Sequence, residues 1–143
     1  MKVLKKVLTS FLVLMFALSV CGCGGASKST KKPAKPKTYA EADINILISD
    51  AKENAAAATK NYKGKDVKII NGTISNIESN ASYISLNGKD KFSMLHVQCF
   101  TNGNKELKDK VTSLKKGQKV TVYGNIKDVG EIMGYSVNID KIE

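Results

Sequence analysis

The sequence has no arginine, one histidine and three cysteines, and each shortage excludes something. Without arginine there is no planar five-donor fork, so bidentate recognition of phosphate or of guanine edges is out of reach. With His96 as the single imidazole, a histidine-based zinc site lacks ligands. A Ser-His-Asp triad or a Cys-His pair would have to use that same residue. Two of the cysteines, Cys21 and Cys23, lie near the start, which leaves Cys99 as the one thiol of the remaining chain. One thiol builds no internal disulfide framework, so stability has to come from packing. No glycine-rich phosphate loop is present: Gly22, Gly24 and Gly25 sit beside the cysteines rather than in a strand-to-helix turn.

What is present begins with an export leader. Lys2, Lys5 and Lys6 precede an almost continuous apolar run from Val7 to Val20, and small residues follow. That run falls short of the roughly 20 residues that cross a bilayer, so residues 1–22 read as a cleavable signal peptide rather than a transmembrane anchor. The stretch Leu18-Ser19-Val20-Cys21-Gly22-Cys23-Gly24-Gly25 resembles the lipobox of bacterial lipoproteins. Cleavage before Cys23 sets the small Gly22 beside the cut. Cleavage before Cys21 sets the bulkier Val20 there, with Leu18 at the favoured apolar position. The resemblance favours Cys23 as the lipidated residue, with Cys21 as the alternative. It implies a diacylglyceryl cysteine of the palmitate type, membrane lipid as a partner, and a chain held on the extracytoplasmic side of the cell membrane. Two acyl chains give a stable anchor where one does not.

Residues 23–37 then read as the lipidated cysteine and its linker. Lys28, Lys31, Lys32, Lys35 and Lys37 alternate with Ser27, Ser29, Thr30, Pro33 and Pro36, and nothing apolar larger than alanine occurs. Such a segment builds no core and serves as a solvated tether. The formal charge of +10 changes meaning accordingly. Of the 23 basic residues, three lie in the leader and five in the linker, leaving fifteen against thirteen acids over residues 38–143. The basic bias belongs mostly to targeting and tether, and is not a nucleic-acid footprint.

Residues 38–143 suffice for one domain with a single modest core. Thr38-Tyr39-Ala40-Glu41 fits a capping box. Ile44, Ile48, Ala51, Ala55, Ala58 and Tyr62 follow as one helical stripe, with Gly64 as its stop. Val67–Ile77 is a long Ile-rich strand whose face parity changes at Asn71-Gly72, by a hairpin turn or by a bulge in one strand. Tyr83–Leu86 and Phe92–Phe100 are expected strands around the Asn87-Gly88 turn. A short helix over Lys105–Leu114 presents Leu107, Val111 and Leu114 to one side. Lys119–Lys127 and Tyr135–Ile139 complete the set, with Val120, Val122 and Ile126 facing inward.

A helix lying between the third and fourth of five strands matches the OB barrel. The chain resembles the bacterial lipoproteins and small proteins of the tRNA anticodon-binding-like OB-fold family. The resemblance rests on Asn54-Ala55, on Tyr62-Lys63-Gly64-Lys65, on Val67 with Gly72, Ile74 and Ile77, and on the run from Leu114 to Gly124 that reads Leu-x-x-Gly-x-x-Val-x-Val-x-Gly. It implies a mainly β fold with helices: a five-stranded OB barrel preceded by an N-terminal helix. It implies no activity, no cofactor and no family site that transfers residue by residue.

Catalytic constellations are missing. In a strand His96 and Cys99 have opposite parity and point to opposite faces. Asp43, Asp50 and Glu53, or Asp128 and Glu131, lack calcium-loop spacing. The expected function is therefore a non-catalytic binding module, tethered to the membrane, whose partner is a protein or a cell-envelope component. OB domains bind on the face of strands two and three. Here that face is expected to present Tyr83, Ser85, Met94, His96, Gln98 and Phe100, with Tyr123 extending it. The same face is closed if the first helix packs on it. Single-stranded nucleic acid is the alternative ligand: rings suit base stacking, and Lys89, Lys91, Lys115, Lys116 and Lys119 are placed to follow phosphates.

Overall fold

The computed structural model describes residues 36–90 and 93–143. The leader, Cys21, Cys23, the linker up to Lys35, and also Lys91 and Phe92 lie outside the described residues. The elements are β1 (Ala40–Asp43), α1 (Ile44–Tyr62), β2 (Asp66–Ile77), β3 (Tyr83–Asn87), β4 (His96–Phe100), α2 (Lys105–Thr112), β5 (Lys119–Gly130) and β6 (Gly134–Ile142). The sheet runs β1-β2-β3-β4-β6-β5, and a further β2–β5 pairing closes the last five strands into a barrel. Within the barrel β4 and β6 are parallel and the other neighbours antiparallel. This is a mainly β, five-stranded OB barrel with one outer strand and two helices.

β1 lies outside the barrel, parallel to the first part of β2 from Val67 to Ile70. β3 takes over that edge of β2 from Thr73 onward. The expected capping box at Thr38 is therefore not used. Residues 40–43 give their backbone groups to the β2 ladder, and a ladder with a long strand outweighs a local cap. The helix begins instead at Ile44, capped by Asp43, whose carboxylate accepts from the Asn45 amide at 2.7 Å. Asn71 Nδ2 donates to the same carboxylate at 2.7 Å, tying the cap to β2.

α1 turns Ile44, Leu47, Ile48, Ala51 and Ala58 into the core. Its backbone leaves the helical region at Asn54 (φ −157°, ψ 92°). Asn54 Oδ1 accepts from the Ala57 amide at 3.0 Å and so caps the second half. After Lys63, Gly64 turns left-handed (φ +83°), and its amide donates to Ile126 O at 2.7 Å. α1 rests chiefly on β5 and also on β2, β1 and β4.

The Asn71-Gly72 segment is a bulge inside one continuous β2, not a hairpin turn. Asn71 takes φ +63°, and the β2–β5 register shifts between Ile69 and Gly72. A Cβ on Gly72 would stand 3.0 Å from Leu86 Cδ1 and 3.6 Å from Ile44 Cδ1, so a larger residue there would have to press Leu86 aside. The bare backbone makes room for Ile44, which is fully buried and brings the helix onto the barrel. Strand alternation sends Ile84, Leu86, Val97, Cys99, Val122, Ile126 and Val137 inward, all with no exposure.

Several strand and helix ends differ from expectation. β4 starts at His96 rather than at Phe92, so Met94 lies in the approach to the strand. α2 ends at Thr112, although Leu114 is still buried. β5 and β6 run on to Gly130 and Ile142, because each strand has the other as an antiparallel partner over most of its length.

Candidate ligand-binding face

The outer surface of β3, β4 and β6 is built in register. Tyr83 pairs with Phe100, which pairs with Asn138; Ser85 pairs with Gln98, which pairs with Ser136. These residues have the parity opposite to the buried set, so their side chains stand on one outward face. The Tyr83 and Phe100 rings lie 5.6 Å apart between centroids at 46°. A hydrogen bond from the Tyr83 hydroxyl holds the Glu78 carboxyl below its ordinary range, and the same bond raises the tyrosine. Gln98 and Phe100 are half-buried, whereas Ser85 is 6% exposed and forms the floor.

His96 opens β4 beside Gly134 of β6. Its Nδ1 lies 2.9 Å from the Met94 carbonyl oxygen. A carbonyl only accepts, so in this contact Nδ1 carries a proton. Met94 itself is 78% exposed and precedes the strand.

Tyr123 is placed elsewhere. It belongs to β5, which β6 separates from β4 and β2 separates from β3. Its ring meets Tyr39 edge-on at 5.3 Å, and its hydroxyl donates to Glu143 at 2.9 Å. Lys141 Nζ stands 5.3 Å above the ring. Nearby, Lys37 and the Tyr39 hydroxyl both bond Asp140. This is a second polar corner on another side of the barrel. Strand parity places Tyr123 outward correctly, but parity does not say which way a closed barrel turns that strand.

The first helix leaves the face open at its aromatic end. α1 meets β3 at the far end, where Asn45 Oδ1 accepts from the Lys89 amide at 2.8 Å and fills the space a Gly88 Cβ would need. Tyr83 begins β3 and Phe100 ends β4, so the ring pair lies at the other end of both strands. The β5–β6 turn adds what sequence reasoning missed. Ile132 is 68% and Met133 52% exposed, and they lead directly into Gly134 beside His96. The parallel β4–β6 neighbourhood of an OB barrel was the signal for including Ser136 and Asn138.

Cys99 is wholly buried, and burial pushes its thiol well up, while His96 lies on the outer face. The two do not meet. Among the described residues no three histidine, cysteine or carboxylate side chains group as a metal site. Asp43 caps α1, Asp50 accepts from Tyr62, and Asp128 pairs with Lys63 at 2.9 Å. Among the described residues no helix is long and apolar enough to cross a membrane.

The model of the tRNA_anti-like family matches residues 1–136. No curated protein matches the chain. Among solved structures, a Klebsiella pneumoniae lipoprotein proposed to bind nucleic acid is 18% identical over 72% of this chain and 92% of its own, with a TM-score of 0.55. At that identity the likeness is one of fold. Asparaginyl-tRNA synthetase from Pyrococcus horikoshii is 22% identical over 59% of this chain and 20% of its own, with a TM-score of 0.43.

Proposed function

The chain belongs to the tRNA_anti-like family, and from that premise we propose that it is an exported lipoprotein whose OB barrel binds a partner without catalysis. In this reading residues 1–22 are removed, Cys23 carries the lipid (Cys21 being the alternative), residues 24–37 form the tether, and residues 38–143 are the binding domain on the extracytoplasmic side of the membrane. The observation that carries the binding role is the open Tyr83–Phe100 pair above the Ser85–Gln98–Ser136 row. Offset rings on a neutral, amide-lined floor offer stacking area and a few orienting hydrogen bonds. His96 on the outer face and Cys99 in the core cannot act as a Cys–His pair.

The tether is tested by membrane fractionation. A Cys21→Ala/Cys23→Ala double variant leaves the membrane fraction, and Cys21→Ala alone does not. Retention of the double variant would refute lipid anchoring.

Single-stranded nucleic acid on the same face is the second reading, favoured by the way OB folds stack bases on aromatic rings. Anisotropy of a labelled mixed-sequence oligonucleotide, titrated with the full chain in detergent, decides it. Binding that falls steeply with salt and is lost in Phe100→Ala establishes this reading. Absence of binding removes it and leaves a protein or envelope partner.

A further inference from the structure

The binding face has two apolar ends and a neutral middle. At one end stand Tyr83 and Phe100. At the other, Met94, Ile132 and Met133 are 78%, 68% and 52% exposed. Met94 precedes His96, and Ile132 and Met133 precede Gly134; His96 and Gly134 are neighbours on parallel strands. The two segments therefore reach the same edge of the face side by side. Ile46 on α1 is the remaining large apolar side chain exposed among the described residues.

Charge is distributed against phosphate. Between the two ends the outward side chains of β3, β4 and β6 are serine, asparagine, glutamine and histidine, and the one described lysine nearby, Lys89, lies outside the strands in the β3–β4 connection that also carries Met94. The loops that flank an OB face are those between its first and second strands and its fourth and fifth. Here these loops are residues 78–82 and 131–133, and each holds one glutamate and no lysine. On the sheet, Lys68 and Lys141 lie on the other side of the barrel, paired with Glu41 and Glu143.

Resting on the proposed binding role of this face, we infer that its ligand is a peptide segment of a partner protein, carrying an apolar side chain at each end and neutral or basic charge between them. From His96 to Phe100 the strand advances about 13 Å, so the two anchors suit roughly five or six extended residues. The methionines supply adaptable, polarizable contact and the rings supply rigid contact. Glu78 and Glu131 favour lysine or arginine flanking the apolar anchors and disfavour a polyanion.

A phage-displayed library of random dodecapeptides, selected on the full chain in detergent, tests this. The expected sequences carry two apolar residues four or five positions apart with lysine or arginine nearby. Synthetic copies lose at least tenfold in affinity against Phe100→Ala and against Ile132→Ser/Met133→Ser, and change little between low and moderate salt beyond the flanking charges. Circular dichroism confirms that the variants fold; the Ile132 and Met133 changes are at exposed positions and should leave the fold intact. Acidic selected sequences, or selected peptides indifferent to both variants, overturn the inference. If instead a single-stranded oligonucleotide binds and Phe100→Ala abolishes it, the face stands as a binding site and the peptide class falls. If selected peptides bind but depend on Tyr123→Ala alone, the face itself is wrong.

Discussion

Tyr62 closes α1 onto its own first half: its hydroxyl donates to the Asp50 carboxylate at 2.5 Å, across the break at Asn54. The Tyr62 ring also stands edge-on to the buried Tyr135, 5.9 Å between centroids. The kinked helix is thus held at both ends, by Ile44 at Gly72 and by Tyr62 at β6. Asn54 and Tyr62 are among the residues that carry the family resemblance, and here they make the kink and the tie across it.

The bond has a pH signature. Hydrogen bonding to Asp50, followed by burial, pushes the Tyr62 hydroxyl up to about 12 from an ordinary value of 10.0. The folded state therefore holds a proton that the unfolded state gives up. That contribution is complete below the unfolded value and is lost as pH rises through the folded one. Tyr62→Phe should lower stability by about 1 kcal/mol near neutral pH. The gap between the two proteins should shrink from pH 10 to pH 12 in denaturant titrations. A gap that stays constant over that interval means that the hydroxyl is not held by the carboxylate.

Phe100→Ala separates binding from stability. The ring is half-buried, and its geometric pairing with Tyr83 is worth on the order of 1 kcal/mol beyond area burial. The variant should remain folded, with a small drop in unfolding midpoint, and should lose at least tenfold in ligand affinity. Tyr83→Phe keeps the ring and removes the bond to Glu78, so it should weaken binding far less. A loss from Tyr83→Phe as large as that from Phe100→Ala would mean that the hydroxyl counts for as much as the aromatic surface.

Cys99 should be chemically silent. Its side chain has no exposure, and desolvation alone raises the thiol. Thiolate is the reactive form. In a Cys21→Ser/Cys23→Ser background, a disulfide-exchange reagent at pH 8 should label nothing in the native protein and one thiol after unfolding. Labelling at a native rate near that of free cysteine would place this residue outside the core.

The barrel was legible because its strands alternate over most of their length: Ile84 and Leu86, Val97 and Cys99, Val120 and Val122 announce their inward faces without any partner being known. The helix stripe was legible for the same reason, in steps of three and four. What sequence did not carry was the tertiary competition for particular backbone groups. Thr38 and Glu41 are a sound capping box, but residues 40–43 have a parallel ladder to join, and Asp43 takes over the cap. The face was half legible. Parity placed Tyr83, Ser85, His96, Gln98 and Phe100 together, while Tyr123 shares their parity and not their side of the barrel. Ile132 and Met133 lie in a turn, where no period marks a face.

Two glycines with nearly equal φ angles should respond very differently to alanine. Gly64 (φ +83°) follows α1, and nothing lies within 4 Å of where a Cβ would stand, so Gly64→Ala meets only the left-handed backbone cost, about 1–2 kcal/mol. Gly134 (φ +74°) begins β6 against β4, and a Cβ there would lie 2.2 Å from His96 O and 2.9 Å from His96 N. Both obstacles are backbone atoms of a paired strand and cannot swing aside. Gly134→Ala must push β6 off β4, at the point where the two parallel strands bring the β5–β6 turn to the proposed binding face. A loss above about 4 kcal/mol is expected, which for a domain of this size approaches the whole margin of stability. Urea unfolding of the two variants checks the contrast. Similar midpoints for both would mean that β4 and β6 are not in contact at His96 and Gly134, and the proposed two-ended face would lose one of its ends.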